Sequence, residues 1–337
     1  MMKTFMAFIL LTMIAVTQVG AQMLPKMRIS VENAPSHVQT KAVQGFAEEL
    51  QQQLAGRIAV EFYSNAQLFR DNDVIQALMH GKVEMAVPGT WQFDRFDPNV
   101  GIFLLPIFYG RSAQTYYAIL AGKIGDAING KIEERLHLKV VGRWLDLGHA
   151  HLFSIGKPIV RYEDIRDMRI RVAGGIANEL RIQALGGIPT SIAWPDLPAY
   201  LQQGTVDGIL TSYETIRSAK LWEYGVNYGF EDREYFPQYI PLIRLSFWNK
   251  LPGDIQEIVL TTWDKHVDPA REKAAAMQTQ AKAILLEQGV KIIVPDEDAI
   301  EQQRYALLSR QDEFVARMNI DPELVKQLLE AFREEGL

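Results

Sequence analysis

The sequence predicts an α/β fold in two lobes, and three patterns indicate this. Apolar strands alternate with amphipathic helices over about residues 27–87 and again over about 168–210. Such alternation is typical of helices packed on a parallel or mixed sheet. A helical region from Pro252 to Gly289 would span roughly 50 Å at about 1.5 Å per residue, which exceeds one lobe of this size. A helix of that length predicts a brace across two lobes.

Each predicted element follows from the spacing of its apolar residues and from its end signals. In the first helix, Ala42, Phe46, Leu50 and Leu54 recur at helical spacing, and Gly56 ends it. The predicted strands are 27–32, 58–63, 83–87, 168–172, 188–192 and 206–210. The predicted helices are 41–54, 74–79, 176–185, 197–203, 252–289 with an interruption at Pro269, 296–318 and 322–332.

The N-terminal segment predicts an exported protein. Lys3 precedes an apolar run from Phe5 to Val16, and the small residues Gly20 and Ala21 follow. The run is shorter than the roughly 20 apolar residues that a membrane span needs. Residues 1–21 are therefore interpreted as a cleaved secretory signal peptide, and we expect no membrane-spanning segment in the mature chain.

Composition excludes several functional classes. The chain has no cysteine, which removes disulfides and thiolate catalysis. Its net charge of −6 leaves no basic stripe for nucleic acid. The sequence has no G-x-S-x-G or H-E-x-x-H motif and no phosphate-binding glycine loop. We therefore expect neither an enzyme nor a nucleic-acid-binding protein, and we expect no cofactor.

Paired acidic and histidine residues favour structural roles. Asp71 and Asp73 are interpreted as caps of the helix 74–79, and the acidic segment 232–234 as a solvated turn. His149 and His151 would face the same side of a strand. Zinc needs three or four ligands, and no third is evident nearby, so we expect no metal. The favoured interpretations of these histidines are a hydrogen-bond donor near the hinge or a partly exposed side chain.

Arg171 is the leading candidate for binding a ligand. It lies among apolar residues in the predicted strand 168–172, and Gly174 and Gly175 follow it. A buried guanidinium keeps its proton and needs an anionic partner. That partner is either an Asp or Glu of the protein or a ligand's carboxylate. The second alternative predicts a receptor for an organic acid.

Other candidates lie where predicted strands end. Trp194 precedes Pro195 at a loop rim, the place where ligands of α/β proteins bind, although an aromatic residue of the core is the alternative. The Thr211 hydroxyl is a possible donor to a carboxylate. The remaining candidates in comparable positions are Trp91, Trp144, Tyr213 and Asn33.

Taken in order, several motifs resemble the periplasmic solute-binding proteins of tripartite ATP-independent periplasmic (TRAP) transporters, of the dicarboxylate-binding type. The likeness runs from about Met27 to Val290. Its markers are SNAQL (64–68), GKVEMA (81–86), LLPIF (104–108), Lys157-Pro158, MRIRV (168–172), ALGGIPTSIAW (184–194), AYLQQGTVDG (199–208) and FWNKLPGDIQEIV (247–259). Each motif is weak alone, but their order and spacing are specific.

The resemblance implies two lobes that close on a ligand, with a long helix across both. It implies that Arg171 forms a salt bridge with the ligand's carboxylate, that Trp194 lines the pocket, and that Thr211 stands where many relatives have an asparagine. Many relatives carry a second arginine where this sequence reads Gly148-His149-Ala150-His151. The ligand is then either a monocarboxylate or a dicarboxylate whose second group histidine or hydroxyl donors hold.

The resemblance also implies a periplasmic location, a small carboxylate as ligand and membrane permease subunits as partners. We predict lobe I over 22–147 plus about 237–268, and lobe II over 148–236 plus about 269–337. Two alternatives stay open. The occupied protein could signal to a sensor kinase, which the sequence does not separate from transport, or the chain could be an exported hydrolase or lyase acting on an organic acid.

Overall fold

The structure is a computed structural model that describes residues 24–334 and 336. The predicted signal peptide, residues 1–21, lies outside the described residues. The described chain forms a mixed α/β fold in two lobes, as the sequence predicted. In this part of the chain, no helix is both long enough and apolar enough to cross a lipid bilayer.

The elements follow one another along the chain with strands and helices interspersed. The strands are β1 (Lys26–Ser30), β2 (Ala59–Tyr63), β3 (Met85–Ala86), β4 (Leu138–Val140), β5 (Leu145–Asp146), β6 (Ala150–Ile155), β7 (Arg169–Val172), β8 (Ile188–Ser191), β9 (Gly208–Thr211), β10 (Val226–Tyr235), β11 (Gln238–Tyr239), β12 (Leu242–Arg244) and β13 (Lys291–Ile293). The helices are α1 (Val38–Gln53), α2 (Val74–Met79), α3 (Ala113–Ala121), α4 (Lys123–Leu136), α5 (Ile176–Ala184), α6 (Leu197–Gln202), α7 (Tyr213–Ser218), α8 (Leu245–Trp248), α9 (Gly253–Glu287), α10 (Glu297–Leu308), α11 (Gln311–Met318) and α12 (Pro322–Glu334).

The first sheet has the strand order β2-β1-β3-β12-β4. β1 pairs in parallel with β2 and β3, while β12 is antiparallel to β3 and β4. Met27 and Ile29 of β1 are fully buried, as alternation along a strand with one face on the core requires. α1 buries Val43, Phe46 and Leu50 and contacts β2 and α9.

The second sheet has the order β13-β10-β6-β9-β7-β8. β7 lies between β8 and β9 and is parallel to both, and β6 runs antiparallel between β9 and β10. β10 is the longest strand. The sequence pattern did not predict this strand, because polar and apolar residues are mixed along it. In the fold, its neighbours β6 and β13 cover both of its edges.

Crossing strands and one long helix join the lobes. β5 and β11 form a two-stranded antiparallel ribbon, in which Asp146 faces Gln238 and Leu145 faces Tyr239. α9 contacts α1 of the first lobe and α7 of the second. The predicted lobe boundaries remain a prediction; of the C-terminal helices, α11 contacts α5 and α12 contacts α3 and α4.

Two predicted helix boundaries were wrong. α9 continues through Pro269, because burial of Val267 and Ala274 on either side holds the helix together where proline removes one hydrogen bond. The helix predicted over 296–318 is two helices, α10 and α11, that meet at Ser309 and Arg310. By contrast, α2 coincides with its predicted range and α5 begins directly after Gly175, as predicted.

The solvated turn predicted over 232–234 was also wrong. Asp232 and Glu234 lie on β10 with no exposed surface, and both pair with the buried Arg181 of α5. The Arg181 Nε donates to Glu234 over 3.1 Å, and Tyr162 donates to the same carboxyl group over 3.3 Å. Burial raises the pKa of Glu234 to about 7, although Arg181 opposes the shift. An acidic segment in sequence is thus an internal ion-pair cluster in the fold.

Candidate functional site

The two lobes enclose a cleft at the carboxyl ends of their parallel strands. Chain segments following β1, β2 and β3 line one side, and β7 with the segments following β8 and β9 lines the other. Open α/β sheets bind ligands at this end of their strands. The space between the lobes at this point is about 510 Å³, a figure that includes the part open to solvent.

Arg171 lies on the second lobe's side of this cleft and is 2% exposed. β7 holds its backbone between Thr190 of β8 and Ile209 of β9. Its Nε and Nη2 both donate to the Ile192 carbonyl oxygen, over 3.0 and 2.8 Å. These two bonds fix the plane of the guanidinium group.

The remaining donors of Arg171 are free for a ligand. Of the five N–H groups of a guanidinium, the Ile192 carbonyl takes one from Nε and one from Nη2, so both hydrogens of Nη1 and the second of Nη2 remain. Within the described chain, no Asp or Glu oxygen lies within 4.0 Å of these nitrogens. Burial lowers the pKa of Arg171, and the charges of Asp71 and Glu32 oppose that shift. The group stays protonated, since the ordinary pKa of arginine is so high.

Trp194 forms the wall beside Arg171. Its ring centroid lies 6.0 Å from the Arg171 Cζ, a distance at which a ring face attracts a cation. Trp194 is on the short 3₁₀ turn Trp194–Asp196 that follows β8. Its backbone N–H donates to the Asp71 Oδ2 of the first lobe over 2.9 Å.

Three packed aromatic rings, those of Trp91, Tyr235 and Tyr239, belong to the lining of the cleft. Trp91 packs edge-on against Tyr239, with centroids 5.2 Å apart, and against Tyr235, with centroids 6.3 Å apart. The backbone of Gly175 passes close to Trp91: a Cβ there would lie 3.0 Å from the Trp91 Cβ, and its φ is +91°. Glycine is required at this position because other residues rarely adopt such a φ.

Polar side chains surround the aromatic group. The Asn33 Nδ2 donates to the Tyr239 hydroxyl over 3.3 Å and to the Gln39 side chain over 3.2 Å. Thr211, at the end of β9, lines the cleft with Ser212, whose hydroxyl lies 3.0 Å from the Thr215 hydroxyl. These groups can exchange hydrogen bonds with the oxygen atoms of a ligand.

Two carboxyl groups, Glu32 and Asp71, line the cleft from the first lobe. They are 8% and 1% exposed. Burial and the charge of Asp71 raise the pKa of Glu32 well above its ordinary value, and Arg171 opposes the shift. Burial raises the pKa of Asp71 too, and its hydrogen bond from the Trp194 backbone opposes that.

The structure brings five of the nine sequence candidates to the cleft and leaves four outside it. The five that line the cleft are Asn33, Trp91, Arg171, Trp194 and Thr211. Trp144 is buried elsewhere and donates to Asn129 over 3.1 Å, and Tyr213 donates to Glu231 over 2.7 Å. His149 lies 3.1 Å from the Arg111 carbonyl oxygen, and the His151 ring packs at a tilt against Tyr213, with ring centroids 4.7 Å apart.

Sequence reasoning missed both carboxyl groups of the cleft. The helix-cap interpretation of Asp71 was wrong, because its side chain contacts Trp194, 123 residues away; Asp73 occupies the cap position but makes no side-chain cap bond. Glu32 adjoins Asn33 after an apolar strand, so its position at a strand's carboxyl end was the available signal. Across the described part of the chain, no group of three or more His, Asp or Glu side chains could hold a metal ion.

The two lobes also contact each other through polar pairs. Arg70 of the first lobe pairs with Asp196 of the second. The Asp94 carboxylate accepts a hydrogen bond from the Ile176 N–H at the start of α5, and burial raises the pKa of Asp94 to about 6. With the bond between Asp71 and Trp194, these contacts join the two lobes.

Comparison with known proteins assigns this architecture. The model of DctP, bacterial extracellular solute-binding protein family 7, matches residues 29–317. The chain belongs to this family. A C4-dicarboxylate-binding periplasmic protein DctP of Shewanella loihica is 25% identical over 246 residues, which cover 72% of this chain and 70% of the relative.

Solved structures agree with the family. A TRAP periplasmic solute-binding protein of Sulfurospirillum deleyianum with bound succinate has a TM-score of 0.81 at 22% identity, covering 90% of this chain and 98% of that one. The sugar acid binding protein DctPAm of Advenella mimigardefordensis, in complex with galactonate, has a TM-score of 0.85 at 20% identity, covering 92% and 99%. The resemblance to TRAP solute-binding proteins is therefore confirmed, and with it the two-lobed fold. The family is one of extracellular solute-binding proteins, and both of these neighbours are binding proteins.

Proposed function

We propose that the protein captures a small organic acid in the periplasm, through a salt bridge between Arg171 and the ligand's carboxylate, and delivers it to the membrane permease subunits of a TRAP transporter. The observation that carries this proposal is the free edge of a buried guanidinium. Arg171 is held by Ile192 and has no acidic partner within 4.0 Å in the described chain. An Arg–carboxylate fork would supply two parallel charge-assisted hydrogen bonds.

The cleft also supports enclosure of the ligand. Arg171 and Trp194 belong to the second lobe, while Trp91 and Asn33 belong to the first, so a ligand between them would contact both. Closing the lobes excludes water and strengthens a salt bridge by lowering the local dielectric. The contacts between Arg70 and Asp196 and between Asp71 and Trp194 would hold such a closed form, and the ribbon β5–β11 is a natural hinge.

The relatives support an acid as the ligand class without fixing which acid. Succinate and galactonate are the bound ligands of two neighbours. A cleft with one fixed guanidinium edge, aromatic walls and several hydroxyl groups suits a carboxylate on a short polar carbon chain.

Thermal-shift screening of the wild type against organic acids, followed by calorimetry, tests the proposal. At least one carboxylate should raise the melting temperature, since a ligand stabilises the folded state by RT ln(1 + [L]/Kd). Arg171→Ala should weaken that acid by at least about 2 kcal/mol, or roughly 30-fold in Kd. Arg171→Lys should also lose most of the affinity, because an ammonium group does not form the fork.

Arg169→Ala is the matched control. Arg169 lies two residues nearer the amino end of β7 and pairs with Asp207 at that end over 2.7 Å, so its loss should leave affinity unchanged. Circular dichroism of each variant checks that it is folded. An acid that binds Arg171→Ala as tightly as the wild type would refute the salt bridge.

The same titrations separate the two alternatives. Recovery of the bound acid chemically unaltered, one per chain, supports a receptor, whereas conversion of the acid would favour a hydrolase or lyase. Reconstitution with the permease subunits in proteoliposomes tests delivery. Ligand uptake that depends on this protein supports transport, and binding without uptake would favour signalling to a sensor kinase.

A further inference from the structure

The carboxyl group of Glu32 has no hydrogen-bond partner in the described structure. It is 8% exposed, lies at the end of β1 and lines the same cleft as Arg171. Its environment consists of burial and the charges of Asp71 and Arg171, with no hydrogen bond to the group. Because Glu32 lines the cleft and no protein group donates to it, its carboxyl group is available to a ligand.

A second carboxyl group of the cleft, that of Asp71, also has an oxygen without a hydrogen-bond partner. Its Oδ2 accepts the Trp194 N–H, but its Oδ1 is buried and has no partner. Both carboxyl groups come from the first lobe and face Arg171 of the second across the cleft. A bound ligand therefore has a cationic donor on one side and two acceptor groups on the other.

Charge complementarity limits what the acidic side accepts. A ligand's first carboxylate is matched by Arg171. A second carboxylate on the same ligand would lie near Glu32 and Asp71 and would add like charge in a buried site, which is unfavourable. Among the cleft-lining residues, Arg171 is the only cationic side chain, so no second cation offsets this repulsion.

We propose that Glu32 and Asp71 make the cleft selective for a monocarboxylate that carries a hydrogen-bond donor, a hydroxyl or ammonium group, at its far end, and that they disfavour unsubstituted dicarboxylates. This rests on the proposed function, because it takes Arg171 as the anchor of the carboxylate. The donor would bond to the Glu32 carboxyl group and the free Asp71 Oδ1, which satisfies both.

Matched ligand series test the selectivity. For four- and six-carbon chains, calorimetry at pH 7.5 compares the dicarboxylate, the ω-hydroxy monocarboxylate and the ω-amino monocarboxylate. The wild type should bind one of the donor-bearing acids at least tenfold more tightly than the dicarboxylate of equal length. The hydroxy and amino arms show which donor is preferred. A dicarboxylate that binds as tightly as both of them would overturn the proposal.

Isosteric variants identify the residues responsible. Glu32→Gln keeps the shape and removes the charge, so the preference for the donor-bearing acid over the dicarboxylate should fall at least tenfold. Asp71→Asn should act in the same direction, although it also alters the bond to Trp194. Asp73→Asn, on the exposed residue two positions further along the same loop, should leave the preference unchanged.

A pH series supplies a readout that a purely structural role would not move. The titratable and charged groups facing Glu32 are Asp71, Arg171, Tyr235 and Tyr239. As the pH is lowered until Glu32 is protonated, dicarboxylate binding should improve more in the wild type than in Glu32→Gln, because protonation removes the repelling charge. An equal pH dependence of dicarboxylate binding in the wild type and in Glu32→Gln would count against the proposed role of Glu32.

Failure of this selectivity and failure of the Arg171 anchor are distinguishable. Carboxylates that bind through Arg171 with a selectivity that Glu32→Gln does not change would overturn only the present inference. Absence of binding by every acid of the series and of the wider screen would overturn both.

Discussion

His37 makes folding stability depend on pH through a fully buried imidazole. It is the N-cap of α1, where its Nδ1 accepts the Gln39 N–H over 3.2 Å. This leaves the proton on Nε2, which donates to the Thr215 hydroxyl over 3.2 Å. Protonation of Nδ1 would break the cap. Burial, aided by the Arg217 charge, lowers the pKa of His37 from 6.5 to about 3.

The expected magnitude follows from linkage. In the unfolded chain the imidazole takes up a proton near its ordinary pKa of 6.5, whereas in the folded protein it does so only near 3. Stability contributed by the neutral form is present above pH 6.5 and is lost as the pH falls toward 3. Between pH 8 and pH 5 the loss is about 2 kcal/mol, at about 1.4 kcal/mol for each pH unit below 6.5.

Urea unfolding of the wild type and His37→Asn at both pH values measures this contribution. Asparagine retains a side-chain acceptor for the cap and does not titrate. The loss of unfolding free energy from pH 8 to pH 5 should be about 2 kcal/mol larger in the wild type than in the variant. His80→Asn, at an exposed residue after α2, should behave like the wild type. Equal losses in the wild type and His37→Asn would refute the reasoning.

Two further predictions concern stability. Arg181→Met leaves Asp232 and Glu234 buried without their partner, so the free energy of unfolding measured in urea should fall by about 3–5 kcal/mol. The control Arg161→Met, at an arginine with 74% of its side chain exposed, should change the free energy of unfolding by less than about 0.5 kcal/mol. Equal effects of the two substitutions would contradict the prediction. Gly175→Ala should lower the melting temperature, because Gly175 has a positive φ and lies against Trp91. Gly130→Ala, in α4 with open space around it, should instead stabilise the protein by about 0.5–1 kcal/mol. A stabilised Gly175→Ala together with a destabilised Gly130→Ala would be inconsistent with the structure.

Local patterns in the sequence were sufficient to predict much of the fold. The spacing of Ala42, Phe46, Leu50 and Leu54 predicted a helix that exists as α1, and the length of the region around Pro269 predicted the brace α9. Arg171 could be selected as a candidate ligand-binding residue because a charged residue in an apolar strand is a local anomaly. Each of these signals is contained within one element and its neighbours along the chain.

The missed features depend on partners that are distant in sequence. Asp232 and Glu234 look solvated until Arg181, about 50 residues away, packs against them. Asp71 looks like a helix cap until the second lobe brings Trp194 to it. Tyr213 follows a strand like other candidates, but its hydroxyl turns to Glu231. Local propensity does not contain such contacts, because tertiary packing decides them.

The position of β12 has a consequence for biosynthesis. This strand lies between β3 and β4 in the first sheet, yet its residues 242–244 follow five of the six strands of the second sheet, β6 to β10, along the chain. A nascent polypeptide that ends before them holds β4 with no strand beside it. Because β12 joins β4 to the rest of the first sheet, that sheet can be completed only after most of the chain has been synthesised.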